Sequence, residues 1–546
     1  MDATTRFRTE RVGALPVIAA YLEKLGIGRI IDEVVPWEGD VPLGTLVEAM
    51  ICNRMLNPKA QYKIAQWAQK ASVCEYYRVS AEELNDDRLG RALERIAAHA
   101  FVVQPRLVLH LVKTFKLDVS KIHYDISNVE LYGAYERQLN ENGEAREGPS
   151  PMYGRTKSGR KNVKQVQFGI DVARDGAVPL DLIPFDGNQA EVKTHLENLD
   201  RLRKLLPTSR RLYTADTKFD APENLLLNKA HGGQFLCAGV FQPHLKEEYL
   251  QIQDQMQLVD YCPQSKQHLP AEERPQYKVH EVWKTLEGKV DGRTVRLRYR
   301  LLFVWSEAKA KEEGKTRERH QGKVREEFEK ITKNLNKYSL VTREKIVERL
   351  ESAKNKYAVG RFFHYTLSCR KGQFTLSWDV DQESLAREKQ LEGVYLIKTD
   401  LAKGEYPPAK VLAEYKEQIH VERRIGDMKG PLAIAPMWLE KPERIAGLMQ
   451  ILLWSLTVLS LMERDVRRSL KGKPMYGIYP ENRPSRAPTG RGILECFEEL
   501  SIVIMKHKGE TRRRLEDLSP VQRQLVKMMG IPPDSLTAFK RRCCQT

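Results

Sequence analysis

KIHYDIS, residues 121–127, is where the chain changes character. The hundred or so residues before it carry apolar side chains at helical spacing. This stretch alternates apolar and polar, the period of a half-buried strand, and reads as stopping at Asp125. Upstream, ALPVIAAYLEKLGIG, PLGTLVEAMICNRML and GRALERIAAHAF predict helices between residues 12 and 117, the first closing on Gly26 as a C-cap. Downstream, VKQVQFGIDVA (163–173) reads as a second strand, Arg174-Asp175-Gly176 as a turn and AVPLDLIPF as a third strand. AEVKTHLENLDRLRKLL is helical. RRLYTAD (210–216) is a short strand that again ends in an aspartate. APENLLLNKAH is helical and GQFLCAGV is a further strand. Three strands followed by helix–strand alternation predict a mixed α/β core.

The segment from about 241 to 395 interrupts this pattern. It holds the strand candidates TVRLRYRLLFVW and FTLSWDV and the charged helical stretches EEFEKITKNLNKY and REKIVERLESAKNKY, so it reads as an inserted domain. GVYLIKTD (393–400) reads as a strand returning to the core. The apolar run Ala446–Met462 is only about a minimal bilayer span. It contains Gln450, Ser455, Thr457 and Ser460, has charges at both ends, and reads as a buried core or interface helix. Beyond it the chain is basic, and ENRPSRAPTGRG (481–492) reads as a flexible linker.

The 546 residues are too many for one ordinary core, and a hydrophobic content of 41% is enough for several packed ones. Lys and Arg number 90 against 73 Asp and Glu, a net charge of +17, which favours a polyanionic partner, nucleic acid before membrane. The eight cysteines form no CxxC pair, which speaks against a zinc ribbon or a disulfide framework and for reduced thiols in a cytoplasm. MDATTRFRTERVG has no apolar stretch of the secretory kind. A Walker loop is absent, so no nucleotide cofactor is expected, and no serine or tyrosine stands in a nucleophile setting.

Asp125 and Asp216 each end an expected strand, where an open α/β sheet forms its ligand crevice. A strand-end aspartate also serves as a turn residue or helix cap. The third carboxylate is Glu422, in YKEQIHVERRIGDMKG (415–430). Tyr415, Gln418, Glu422 and Lys429 sit at i, i+3, i+7 and i+14, close to one face of a helix that would start at Pro407-Pro408 and stop at Gly430-Pro431. Three clustered carboxylates repel one another unless cations bind between them. Oxygen-only ligands suit two Mg²⁺ ions, with Mn²⁺ able to substitute, about 4 Å apart. His123, on the same strand face as Asp125, reads as a packed or hydrogen-bonded histidine rather than a metal ligand.

The order of these blocks resembles the RNase H-like core of the DDE transposases. The Tyr415 stripe is similar to the Tyr-x2-Arg-x3-Glu-x6-Lys signature of one branch of bacterial insertion-sequence transposases, with Gln418 standing in place of arginine. HYDISN resembles that branch's first-aspartate block. GRTKSGRKNVKQVQFGIDVARDGAVPLDLIPFDGNQAEVKT resembles the block before the second aspartate, and YTADTKFDAPENL the second-aspartate block itself. GVYLIKTDL and KPERIAGLMQILLWSL resemble the segments on either side of the glutamate helix.

The resemblance implies an α/β fold: an RNase H-like mixed-sheet catalytic core with a β-containing insertion, flanked by a helical N-terminal domain and a basic helical C-terminal tail. The boundaries would be 1–118 for the helical domain (end binding or dimerisation), 119–240 and 393–465 for the core, 241–392 for the insertion and 466–546 for the tail. Asp125, Asp216 and Glu422 would be the metal-binding catalytic triad. Tyr415, Gln418, Lys429 and Arg423 would contact DNA, as would Lys157, Arg160 and Lys161 in the cationic loop KSGRKNVK. Trp283, Trp305 and Trp378 are either core residues or aromatic contacts for a base. The implied partners are double-stranded DNA, as terminal inverted repeats and target, and a second copy of the chain on that DNA. Membranes are not among them. The implied setting is the cytoplasm, at a bacterial nucleoid. Two other readings fit the same residues: a copy that binds DNA without cutting, and a nuclease that cuts without joining.

Overall fold

The strand that opens at Lys121 runs on to Leu131, with Ile122, Tyr124 and Ile126 and then Val129 and Leu131 buried. Asp125 therefore lies in mid-strand, not at its end. The computed structural model describes residues 6–133, 135, 147–154, 156, 159–160, 162–206, 210–263, 266–507 and 510–537. The chain divides into two units, one of residues 1–235, 288–295 and 417–546, the other of residues 236–287 and 296–416.

In the first unit, the Lys121–Leu131 strand pairs antiparallel with Lys164–Ala173, which pairs antiparallel with Val178–Phe185. On its other edge it pairs parallel with Leu212–Ala215. The helices Glu191–Leu205 and Pro222–Ala230 follow where the sequence pattern puts them. After the Val178–Phe185 strand the chain turns at Gly187-Asn188. The turn needs glycine, because a Cβ on Gly187 would lie 1.9 Å from the Gln165 carbonyl oxygen.

The helical N-terminal region forms as expected. Leu15–Leu25 ends on Gly26 with φ 62°, the left-handed cap that glycine adopts at least cost. Leu43–Leu56 and Asp86–Phe115 pack on the long helix Pro442–Leu470. By length and composition that helix is apolar enough to cross a membrane, yet 94% of its most apolar window is buried within the protein. Its hydroxyls are satisfied one turn back: Ser455 donates to Ile451 O, Thr457 to Leu453 O and Ser460 to Leu456 O. Gln104 ties it to the sheet. Its oxygen accepts from Gln450 Nε2 (2.7 Å) and Trp454 Nε1 (2.9 Å), while its nitrogen donates to Leu180 O.

Two expectations for the C-terminal region are corrected. It is not purely helical: Ser501–His507 and Glu510–Leu515 are strands, and they form a three-stranded sheet with Arg6–Arg11. Ile502 and Ile504 face inward at period two, a signal hidden by the surrounding charge. Nor does 481–492 hang loose. Arg467 Nε donates to Pro488 O (2.9 Å), Gly490 N donates to Glu463 Oε1 (2.7 Å), and a short helix, Gly490–Glu495, starts there.

In the second unit, five strands run in the order Gln234–Gly239, Val394–Thr399, Arg293–Ser306, Tyr277–Val290, Gln257–Val259. The Val394–Thr399 strand is antiparallel to both its neighbours. A separate hairpin, Phe363–Arg370 with Gln373–Val380, packs with the helices Glu307–Lys333 and Arg343–Asn355 around Phe328, Ile346 and Leu350. Trp378 packs in this small core, 5.6 Å from the Phe328 ring. Trp305 packs against the cluster around Phe303. Trp283 is 44% exposed, with the Arg298 guanidinium 4.4 Å from its ring.

Candidate active site around Asp125, Asp216 and Glu422

The parallel ladder aligns Lys121 with Leu212, Ile122 with Tyr213 and His123 with Thr214. The ladder stops at the His123–Thr214 pair, and Asp125 and Asp216 each follow their member of that pair by two residues. Both carboxylates thus stand where the parallel ladder ends, the position at which α/β sheets bind ligands. Asp125 Oδ1 accepts from Ile126 N at 2.8 Å. Asp216 is half exposed and caps a short 3-10 turn, its Oδ1 accepting from Lys218 N at 3.0 Å. The capping role weighed from the sequence is therefore present.

Behind Asp216 lies a buried polar chain that sequence reasoning missed. His195, from the Glu191–Leu205 helix, is 1% exposed and places Nε2 3.9 Å from Asp216 Oδ1. Its Nδ1 lies 3.1 Å from the Tyr213 hydroxyl, which also accepts from Asn198 Nδ2 (3.2 Å). Asn198 Nδ2 in turn reaches Asp171 Oδ1 (3.0 Å). Burial pushes the His195 imidazole down to about 3, so it is neutral. Burial pushes the Asp171 carboxyl well above the usual range, against the Asn198 hydrogen bond. In the sequence His195 and Asn198 are ordinary helix residues and Tyr213 and Asp171 ordinary strand residues, and only the fold shows that they line up behind the aspartate.

The third carboxylate is brought in by a helix with two anchors. The expected single helix is in fact two, Pro408–Lys416 and Ile419–Lys429, interrupted at Glu417-Gln418. Tyr415 lies in the former, in the second unit, 6.4 Å from the Tyr395 ring. Gln418 caps the latter. It is 9% exposed, its Oε1 accepts from His123 Nδ1 (3.1 Å), and its Nε2 donates to Tyr124 O (2.9 Å). The phosphate contact expected of Gln418 is corrected accordingly, since its amide is committed inside the fold. The hydrogen-bonded role expected of His123 is what the structure shows. Glu422 follows one turn later and is exposed.

The second anchor is an arginine–glutamate knot. Arg424 is fully buried and donates to Ala177 O (2.8 Å), Gly176 O (3.0 Å), Asp427 Oδ2 (2.9 Å) and Glu463 Oε2 (2.7 Å). Glu463 also accepts from Arg423 (2.8 Å) and lies 3.3 Å from Arg467. Burial alone would raise the Glu463 carboxyl, but Arg424, Arg467 and Arg423 hold it below its ordinary value. Arg423, expected at DNA, spends part of its charge here and is 38% exposed. Lys429 ends the helix and is exposed. Arg160 is 61% exposed beside Glu130 and Tyr132. Lys157 and Lys161 lie outside the described residues.

Asp125, Asp216 and Glu422 offer hard oxygen donors, the right chemistry for Mg²⁺ or Mn²⁺. Among the described residues, however, no three His, Cys, Asp or Glu side chains converge as a metal-holding group.

Comparison with known proteins gives three findings. Residues 7–102 match the family model described as "Domain of unknown function (DUF4277)". No curated protein matches the chain. Among solved structures, the chain is similar to the piggyBac transposase of a synaptic complex with hairpin DNA. The identity there is 9% and the TM-score 0.31, over 98% of this chain and 87% of that one.

Proposed function

We propose that the chain is a DNA transposase of the DDE type, from the branch carrying the Tyr-x2-Arg-x3-Glu-x6-Lys signature. One observation carries the reading: Asp125 and Asp216 each follow the last pair of one parallel ladder by two residues, and the Glu422 helix is fastened by Gln418 to the two residues preceding Asp125. The net charge of +17 suits a DNA partner, and the domain matched at 7–102 is one found in transposases. On this reading the core is RNase H-like, and the chain hydrolyses phosphodiester bonds at terminal inverted repeats and joins the freed 3′-hydroxyl to target DNA. It acts as a homodimer pairing two ends, at the bacterial nucleoid. Exposed Lys429 and Arg160 are its phosphate contacts in the first unit. The cofactor is part of the proposal: Mg²⁺, with Mn²⁺ able to substitute, on Asp125, Asp216 and Glu422.

A second reading is favoured by the three carboxylates not converging: a chain that binds DNA and does not cut. The deciding experiment is cleavage and joining of DNA bearing the native element's end, with Mg²⁺ or Mn²⁺. The wild type is compared with Asp125→Ala, Asp216→Ala and Glu422→Gln. We expect the wild type to cut and join, and the variants to bind that DNA and do neither. A wild type that binds without cutting in either metal establishes the second reading. Cutting without joining makes the chain a nuclease.

A further inference from the structure

Away from the carboxylates, the C-terminal turn of the Leu43–Leu56 helix and the loop after Gly430 enclose a cavity of about 260 Å³. Arg54 forms part of its wall and is 8% exposed. Its guanidinium meets only carbonyl oxygens, Lys59 O at 3.1 Å and Ala433 O at 3.4 Å. Among the described residues no carboxylate pairs with it. The one acidic residue on the wall, Asp86, sits on an exposed helix turn and makes no ion pair with it. Burial lowers the Arg54 guanidinium to about 10. A buried cation without a counter-charge is costly, and an entering anion would offset that cost through charge-assisted hydrogen bonds.

The same cavity is lined by Trp438 and Tyr62, 67% and 61% exposed. Their rings offer flat apolar faces to whatever enters beside Arg54. A flat ligand with a π face stacks on such rings, whatever its sequence identity. The volume is that of a small-ligand site and excludes a duplex.

We propose that this cavity binds a single nucleotide, its phosphate on Arg54 and its base against Trp438 and Tyr62. That chemistry has two sources, a free mononucleotide or an unpaired nucleotide of a DNA strand. Only the second rests on the DNA reading above.

The test uses the full chain and 2-aminopurine, whose fluorescence is quenched on stacking. The probes are 2-aminopurine deoxyriboside with and without its 5′-monophosphate, a duplex with one unpaired 2-aminopurine, and the fully paired duplex. Trp438→Ala and Tyr62→Ala alter exposed side chains and leave the core intact. We expect quenching of the monophosphate or of the unpaired-base duplex, weakened about tenfold by either substitution. For the free probes, the phosphate should be required. Whichever of the two probes responds identifies the source. No quenching of either, or quenching untouched by both substitutions, overturns the inference. Paired-duplex binding separates the two claims: if it is intact while quenching is absent, only the pocket fails; if it is absent while the monophosphate still binds, only the DNA reading fails.

Discussion

Gln418 and His123 meet side chain to side chain, Oε1 to Nδ1 at 3.1 Å. Because the Gln418 nitrogen donates to Tyr124 O, its oxygen must accept, and the proton sits on His123 Nδ1. The glutamate helix is thereby pinned to the strand that carries Asp125. Gln418→Leu removes both bonds and leaves a buried ring N–H and a carbonyl without that partner. We expect a loss of about 2 kcal/mol in urea unfolding. End cleavage should fall further than duplex binding, which is read separately. Gln418→Arg restores the signature residue but places a larger cation in a buried slot facing an N–H. We expect it to destabilise rather than activate, seen as a lower Tm.

Glu463 gives a pH dependence. Its folded pKa is held below the unfolded value of about 4.3. The folded state therefore binds fewer protons than the unfolded state across that window. The contribution is fully present above the unfolded pKa and is lost as pH falls through the depressed folded value. The stability gap between wild type and Glu463→Gln, from urea unfolding, should be constant from pH 7 to 5.5 and shrink below pH 4. A gap that widens on acidification contradicts the arrangement.

Arg424→Met takes one of three arginines from Glu463 and removes the donor shared by Asp427 and the Gly176 and Ala177 carbonyls. Removing one partner of a buried ion pair costs about 3–5 kcal/mol. Arg424→Met, Glu463→Leu and the double variant form a double-mutant cycle, in which we expect the double variant to lose less than the sum of the two single losses.

Gly187→Ala drives a methyl into the Gln165 carbonyl, 1.9 Å away, and toward Met152 O at 2.7 Å. Overpacking of this kind costs about 1–3 kcal/mol. The loss should appear in thermal unfolding, whereas Gly322→Ala, where a Cβ meets nothing within 4 Å, should be neutral or slightly stabilising.

Local pattern made the N-terminal helices, the three-strand meander and the buried Pro442–Leu470 helix legible, because periodicity and burial coincide there. Long-range pairing was not legible. Nothing in HYDISN says that its strand outlasts Asp125; the cause is its antiparallel partner Lys164–Ala173. The break at Glu417-Gln418 carries no proline or glycine, and it coincides with an amide bonded to residues nearly three hundred positions earlier. Asp125, Asp216 and Glu422 stood out by residue type and order. Their supports, His195, Asn198, Arg424 and Glu463, looked like ordinary helix residues.

The pairing of Arg6–Arg11 with Ser501–His507 also has a consequence for biosynthesis. At translation rates of about 5–20 residues per second, the first strand leaves the ribosome about 25–100 s before its partner exists. During that interval its edge has no native neighbour and is open to other nascent chains. Formation of this sheet thus waits on synthesis of a segment nearly five hundred residues later.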